Sequence, residues 1–152
     1  NSTYQMTAEI TRRLADDLLG LVARSGCGLL VTASRRTGEE NLELLRERIA
    51  GPNIYFWDGM GENPYFAFLA QADSILVTGD SVNMISEACF TGKPVHVLAL
   101  EGGSGSKFER FHTEMRLADH TRPFQGKLEE WQAVRLDETS RVAREIIARL
   151  GL

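Results

Sequence analysis

Cysteine, proline and lysine are all scarce in this 152-residue chain, with two, four and three respectively. Cys27 and Cys89 stand far apart and outside any CxxC spacing, which leaves no disulfide framework or zinc ribbon and favours a reducing compartment. No apolar run reaches the ~18 residues that cross a bilayer, and no basic start leads into an apolar signal segment. The expectation is a soluble, cytoplasmic protein without a transmembrane segment, with peripheral membrane association left open. An excess of positive charge is missing too. The net charge is −4 and the isoelectric point about 5.4, which argues against a nucleic acid as partner. The positive charge present is mostly arginine, the better residue for forked contacts to phosphate or carboxylate.

Several catalytic motifs are also lacking. Gly92-Lys93 is followed by Pro94 and has no upstream glycine, so it is not a Walker loop. GxGxxG does not occur, and Gly102-Gly103-Ser104-Gly105-Ser106 misses the nucleophile elbow by its final residue. His96, His112 and His120 have no carboxylate or cysteine at ligand spacing. Neither a metal nor a resident cofactor is expected.

What remains is an ordinary globular composition, 43% hydrophobic and 25% charged, enough for one domain over residues 1–152 and hardly for two. Four short apolar runs stand out: Gly28–Ala33, Asn53–Trp57, Ser74–Thr78 and Pro94–Leu100. Their near-continuous apolarity predicts burial on both faces, as in a parallel sheet between helices. Helical patterns separate them. Thr7 caps the first, to about Arg24, with Ile10, Leu14, Leu18, Leu21 and Val22 on one stripe. The second, Glu39–Ala50, buries Leu42, Leu45 and Ile49. The third starts with Pro64 in its first turn, and the fourth runs from a Ser81 cap to Gly92. Lys107–Ala118 and Asp137–Leu150 complete the set. The alternation predicts an α/β fold, a Rossmann-like doubly wound parallel sheet with right-handed crossovers.

In such sheets ligands bind beyond the carboxyl ends of the strands. After the first run, Ser34-Arg35-Arg36-Thr37 offers two arginines and two hydroxyls to a phosphate; the alternative is a solvated loop paired with Glu39 and Glu40. After the third run, Asp80 or Ser81 is either a plain helix cap or part of a diphosphate site built on the amides near Val82 and Asn83. Glu87, mid-helix among apolar residues, either faces solvent or is satisfied by ribose hydroxyls. Ser104, Ser106, Lys107 and Arg110 frame a glycine loop that offers phosphate contacts or is simply a surface loop. Tyr55, Phe56, Trp57, Tyr65, Phe66 and Phe68 are assigned to the core rather than to a stacking platform.

Ser86-Glu87-Ala88-Cys89-Phe90-Thr91-Gly92-Lys93-Pro94-Val95 fits E-A-x-x-x-G-x-P-V and resembles the nucleotide-binding half of GT-B glycosyltransferases, where the glutamate receives ribose hydroxyls. Gly79 stands where enzymes with paired glutamates carry the other one. Over nearly the whole chain, the segments Leu29–Thr37, Gly61–Val97, Lys107–His112 and Arg122–Trp131 resemble the mitochondrial fission ELM family, whose bacterial members are labelled predicted nucleoside-diphosphate-sugar epimerases. That resemblance implies a fold of the GT-B C-terminal-domain type, binding a nucleoside diphosphate or nucleotide-sugar. Ser34, Arg35, Arg36, Thr37, Ser81 and Asn83 would meet phosphates and Glu87 the ribose. Asn63 and Tyr65, within the Asp58–Tyr65 loop, would lie near the base, with Ser106 and Lys107 as further loop contacts. No catalytic residue is assigned; an enzyme of this kind would be a nucleotide-sugar-dependent glycosyltransferase. The rival reading is a non-catalytic protein-interaction module related to the fission factor. Members of the family are longer, so the chain is expected to be the C-terminal half of a two-domain protein, with the N-terminal domain as its partner. In a 3-2-1-4-5 sheet a further strand would then occupy the centre, between the strands starting near Leu29 and Ser74.

Overall fold

The computed structural model describes residues 4–102 and 107–150. A two-residue strand, β1 (Tyr4–Gln5), precedes α1 (Ala8–Ser25); β2 (Leu29–Val31), a 3-10 turn at Arg35–Thr37, α2 (Glu39–Arg48), β3 (Ile54–Phe56) and α3 (Tyr65–Gln71) follow. The chain continues through β4 (Ile75–Thr78), α4 (Val82–Phe90), β5 (Val95–Leu98), β6 (Glu101–Gly102), α5 (Lys107–Leu117), β7 (Thr121–Pro123) and α6 (Glu138–Leu150).

Local chemistry sets the helix ends. Thr7 is extended, and its hydroxyl accepts from Ile10 N at 3.2 Å; Gly26 closes α1 at φ 67°, a conformation that suits glycine. Thr7→Ala is expected to cost about 0.5–2 kcal/mol, read as a lower urea midpoint. Ser81 starts α4 in the same way, accepting from Met84 N at 3.4 Å. Pro64 lies just before α3 rather than inside its first turn.

The four expected strands form and are parallel within each pair. β2 pairs with β3 from Leu29↔Ile54 to Val31↔Phe56, and β4 pairs with β5 from Ile75↔Val95 to Thr78↔Leu98. Two pairings were not expected. β7 joins β5 in parallel, its Pro123 tolerated at a sheet edge, and β1 pairs antiparallel with β6 across the strand ends. The architecture is therefore mixed α/β with parallel sheets. Among the described residues, however, β2–β3 and β4–β5–β7 do not join.

The core divides in the same way. Ile75, Val77, Ile85, Ala88, Cys89, Val95 and Met115 form one cluster around β4, β5, α4 and α5. Ala15, Leu18, Leu45 and Ile49 form another where α1 meets α2. Leu42 is only half-buried, and of the aromatics assigned to the core Tyr55 and Phe66 are exposed and the others partly buried. α6 buries none of its residues; Val142, Ile146, Ile147 and Leu150 are all exposed. Burial pushes the Cys89 thiol up to about 12, which suits a core residue and not a nucleophile.

His96, fully buried on β5, accepts from Glu129 N through Nε2 at 2.9 Å and packs edge-on against Trp131 and Phe124. Desolvation lowers its pKa; Arg122 acts in the same direction and Glu129 opposes them. The unfolded imidazole takes up a proton as pH falls through about 6.5, whereas the folded one resists until lower pH. Stability is thus complete above that range and declines below it, at no more than about 1.4 kcal/mol per pH unit. His96→Leu should weaken the fold by leaving Glu129 N unpaired, yet flatten this slope. Urea midpoints compared between about pH 7 and about pH 5 check it.

Candidate functional site

The carboxyl ends of β2 and β4 open into a cleft of about 540 Å³. Two local structures shape it. The turn after β2 is capped by Ser34, whose hydroxyl accepts from Arg36 N at 3.2 Å. Across the cleft, Asp80 and Ser81 lead into α4. Ser81 occupies Met84 N, while the amides of Val82 and Asn83 have no partner among the described residues. The positive end of the α4 dipole adds to these free donors.

Arg36 spans the two walls. Its Nη1 donates to the Asp80 carbonyl at 3.1 Å and lies 3.8 Å from the Asp80 carboxylate. The arginine side chain is 68% exposed and the aspartate only 19%. Asp80 lines the cleft, and its Oδ1 is buried without a hydrogen-bond partner among the described residues. Tyr4 and Phe108 supply an aromatic wall, their rings 5.6 Å apart and edge to face. Burial, then Glu109 and Asp80, raise the Tyr4 phenol's pKa. Behind the cleft, His112 Nε2–H donates to the Gly79 carbonyl at 2.8 Å, which holds the start of the β4–α4 loop.

Of the residues singled out in the sequence, Ser34, Arg36, Thr37, Ser81 and Asn83 line this cleft. Arg35 is exposed and does not line it. Lys107 is also off the cleft, with its ammonium 5.6 Å from the Phe108 ring centroid. Ser104 and Ser106 lie outside the described residues. Glu87 is exposed, one helical turn past Asn83, and its Oε2 accepts from Tyr65 Oη at 2.7 Å. Burial first, and then the glutamate, raise the pKa of that phenol. Asn63 Oδ1 accepts from Tyr65 N at 3.0 Å and so orients the start of α3. The Glu87–Tyr65–Asn63 group is a separate polar cluster on the flank of the cleft.

Tyr4, Phe108 and Asn41 escaped the sequence reading, and Asp80 entered it only beside Ser81, as a helix cap or part of a diphosphate site. Asn41 Nδ2 donates to Met6 O at 2.7 Å and to Thr37 O at 3.0 Å, while Oδ1 accepts from Thr11 at 3.0 Å. It therefore ties the entering chain to the arginine turn. Its signal was available: it lies four residues before buried Leu45, a polar side chain on the apolar face of α2. Among the described residues no group of three metal-ligating side chains occurs, and no helix is long and apolar enough to cross a membrane. Chemically, the cleft joins donors suited to an anion with a carboxylate suited to a hydroxyl.

The family model described as mitochondrial fission ELM1 matches residues 1–150. The chain belongs to that family. The mitochondrial fission protein ELM1 of Arabidopsis thaliana is 33% identical across 97% of this chain and 36% of its own length. An uncharacterised protein, RP120, of Rickettsia prowazekii (strain Madrid E) is 26% identical across 97% of the chain and 43% of its own length. This ELM1-family chain thus spans less than half of either relative. No solved structure matches it.

Proposed function

We propose that this ELM1-family domain binds a nucleoside diphosphate or nucleotide-sugar in the strand-end cleft, as a GT-B-like C-terminal domain working with an N-terminal domain in the cytoplasm. The observation that supports this most is the pairing of the open Val82 and Asn83 amides with the Arg36 guanidinium across one cleft. Diphosphate oxygens would take these donors, and a sugar or ribose hydroxyl would meet the exposed part of the Asp80 carboxylate. In glycosyl transfer the same donors would stabilise the departing diphosphate.

Titration of UDP, GDP, ADP and their sugar conjugates into the full-length protein by calorimetry tests the reading; no heat with any of them ends it. Because Glu87 does not line the cleft and accepts from Tyr65, Glu87→Ala is expected to leave diphosphate affinity within about threefold, under 1 kcal/mol. A loss of about tenfold or more would return the ribose to Glu87. The exposed apolar stripe of α6 favours the second reading, a protein-interaction module, which requires no nucleotide at all.

A further inference from the structure

The cleft beyond β2 and β4 is lined by one cation and one anion among the described residues, Arg36 and Asp80. The two are not equivalent. The Arg36 side chain is 68% exposed and the Asp80 side chain 19%. Water and salt therefore screen the guanidinium far more than the carboxylate, and the sheltered charge weighs more heavily on the cleft interior. Nor does the pair neutralise itself by a direct bond. Arg36 Nη1 donates to the Asp80 carbonyl at 3.1 Å and stands 3.8 Å from Oδ2 of the carboxylate, beyond hydrogen-bond length. The other oxygen, Oδ1, has no partner among the described residues.

The surroundings carry the same sign. Beyond burial, which acts first, the carboxylates of Glu109 and Asp80 raise the pKa of the Tyr4 phenol, so a negative field reaches the aromatic wall. Lys107 stands off the cleft, its ammonium 5.6 Å from the Phe108 ring centroid.

An anion entering this cleft meets opposed forces. Arg36 and the Val82 and Asn83 amides attract phosphoryl oxygens, the helix end acting as roughly half a positive charge. Asp80 repels every further negative charge. The balance favours a ligand that offers phosphoryl oxygens at low total charge. Esterifying the terminal phosphate of a diphosphate removes one negative charge, whereas a third phosphate adds to it. An ester that carries a sugar also brings hydroxyls, which can donate to a carboxylate where ionised phosphate oxygens cannot.

We propose that Asp80 is a specificity-determining residue that selects ligands by charge, favouring diphosphate esters of the nucleotide-sugar type over free nucleoside diphosphates and triphosphates. This selection rests on the nucleotide reading of the cleft and narrows it to one class of ligand.

Calorimetry on the full-length protein without divalent cations tests it. UDP, GDP and ADP are each compared with the methyl ester of the terminal phosphate and with the triphosphate, at about pH 8, where that phosphate is ionised. The methyl group adds no hydroxyl, so the ester isolates charge. For whichever base binds, the ester should bind roughly tenfold tighter than the free diphosphate, and the triphosphate more weakly than both. Asp80→Asn keeps the side-chain shape and the backbone carbonyl that Arg36 bonds. It should tighten the free diphosphate and bring the ester to within about threefold of it. Raising the salt should narrow the wild-type preference in the same direction. A wild-type preference for the free diphosphate, or an unchanged ratio in Asp80→Asn, would overturn the proposal and leave nucleotide binding standing. Absence of heat with every ligand ends both. Should Asp80→Asn not fold, the wild-type ratio and its salt dependence decide alone.

Discussion

Ile85→Ala should lower the unfolding free energy by about 2–5 kcal/mol, the range for truncating a fully buried large aliphatic side chain. Ile85 is 0% exposed and belongs to the cluster of Val77, Ala88, Val95 and Met115. α4 contacts both β4 and β5, so backbone collapse into the vacated space is opposed from two sides, and the upper half of the range is expected. Such a loss is a large fraction of the roughly 5–15 kcal/mol that holds a domain together. The effect is also functional, because the first turn of α4 presents Ser81 and Asn83 to the cleft. Apparent ligand affinity should fall with the folded fraction and recover when temperature is lowered toward the stability maximum. Ile146→Ala is the control. Ile146 is 50% exposed on α6, and its truncation should change stability by no more than about 0.5 kcal/mol. Urea unfolding of both variants, with unchanged m-values, distinguishes a core effect from a change in the unfolded state.

What the sequence made legible follows from how local each signal is. β4 and β5 were readable because Ile75, Val77 and Val95 are buried in a continuous apolar run, and α1 and α4 because Thr7 and Ser81 cap them within three residues. β7 was not readable: Thr-Arg-Pro carries no apolar pattern, and its strand character comes from pairing with β5. Leu30 and Tyr55 broke the expectation of burial because they are register partners on one sheet face, while α1 and α2 pack against Leu29, Val31, Ile54 and Phe56 on the other. In the site, the rule that ligands meet strand ends located Ser34, Arg36 and Ser81, but could not separate Arg36 from Arg35. The 3-10 turn sends consecutive side chains in different directions, and only the second reaches Asp80. Glu87 was ambiguous for another reason. Its partner, Tyr65, is 22 residues away on a different helix, and helical spacing alone carries no record of such a contact. Asp80 was hidden by its ordinary role, since an aspartate before a helix already has a sufficient explanation as a cap.

Arg36→Ala should weaken nucleoside diphosphate binding by roughly ten- to a hundredfold, the equivalent of about 1.5–3 kcal/mol for a charged hydrogen-bonding group. The nucleoside without phosphates should lose far less, since only the diphosphate carries the charge that the guanidinium meets. At 68% exposure the guanidinium is screened by solvent and salt, so the loss should shrink as ionic strength rises. Removing Arg36 has a second consequence. The Asp80 carboxylate loses its neighbouring cation and turns the cleft net negative, which repels a diphosphate. Arg36→Lys therefore separates the two contributions: it retains the charge opposite Asp80 but not the fork, and should recover only part of the affinity. Arg35→Ala should leave binding within about threefold, because Arg35 does not line the cleft. Arg36 also bonds the Asp80 carbonyl and so links the β2 and β4 halves. If diphosphate and nucleoside affinities fell equally, with a matching loss of unfolding free energy, that linking role would explain the effect. A diphosphate-selective loss at unchanged stability assigns Arg36 to the phosphate.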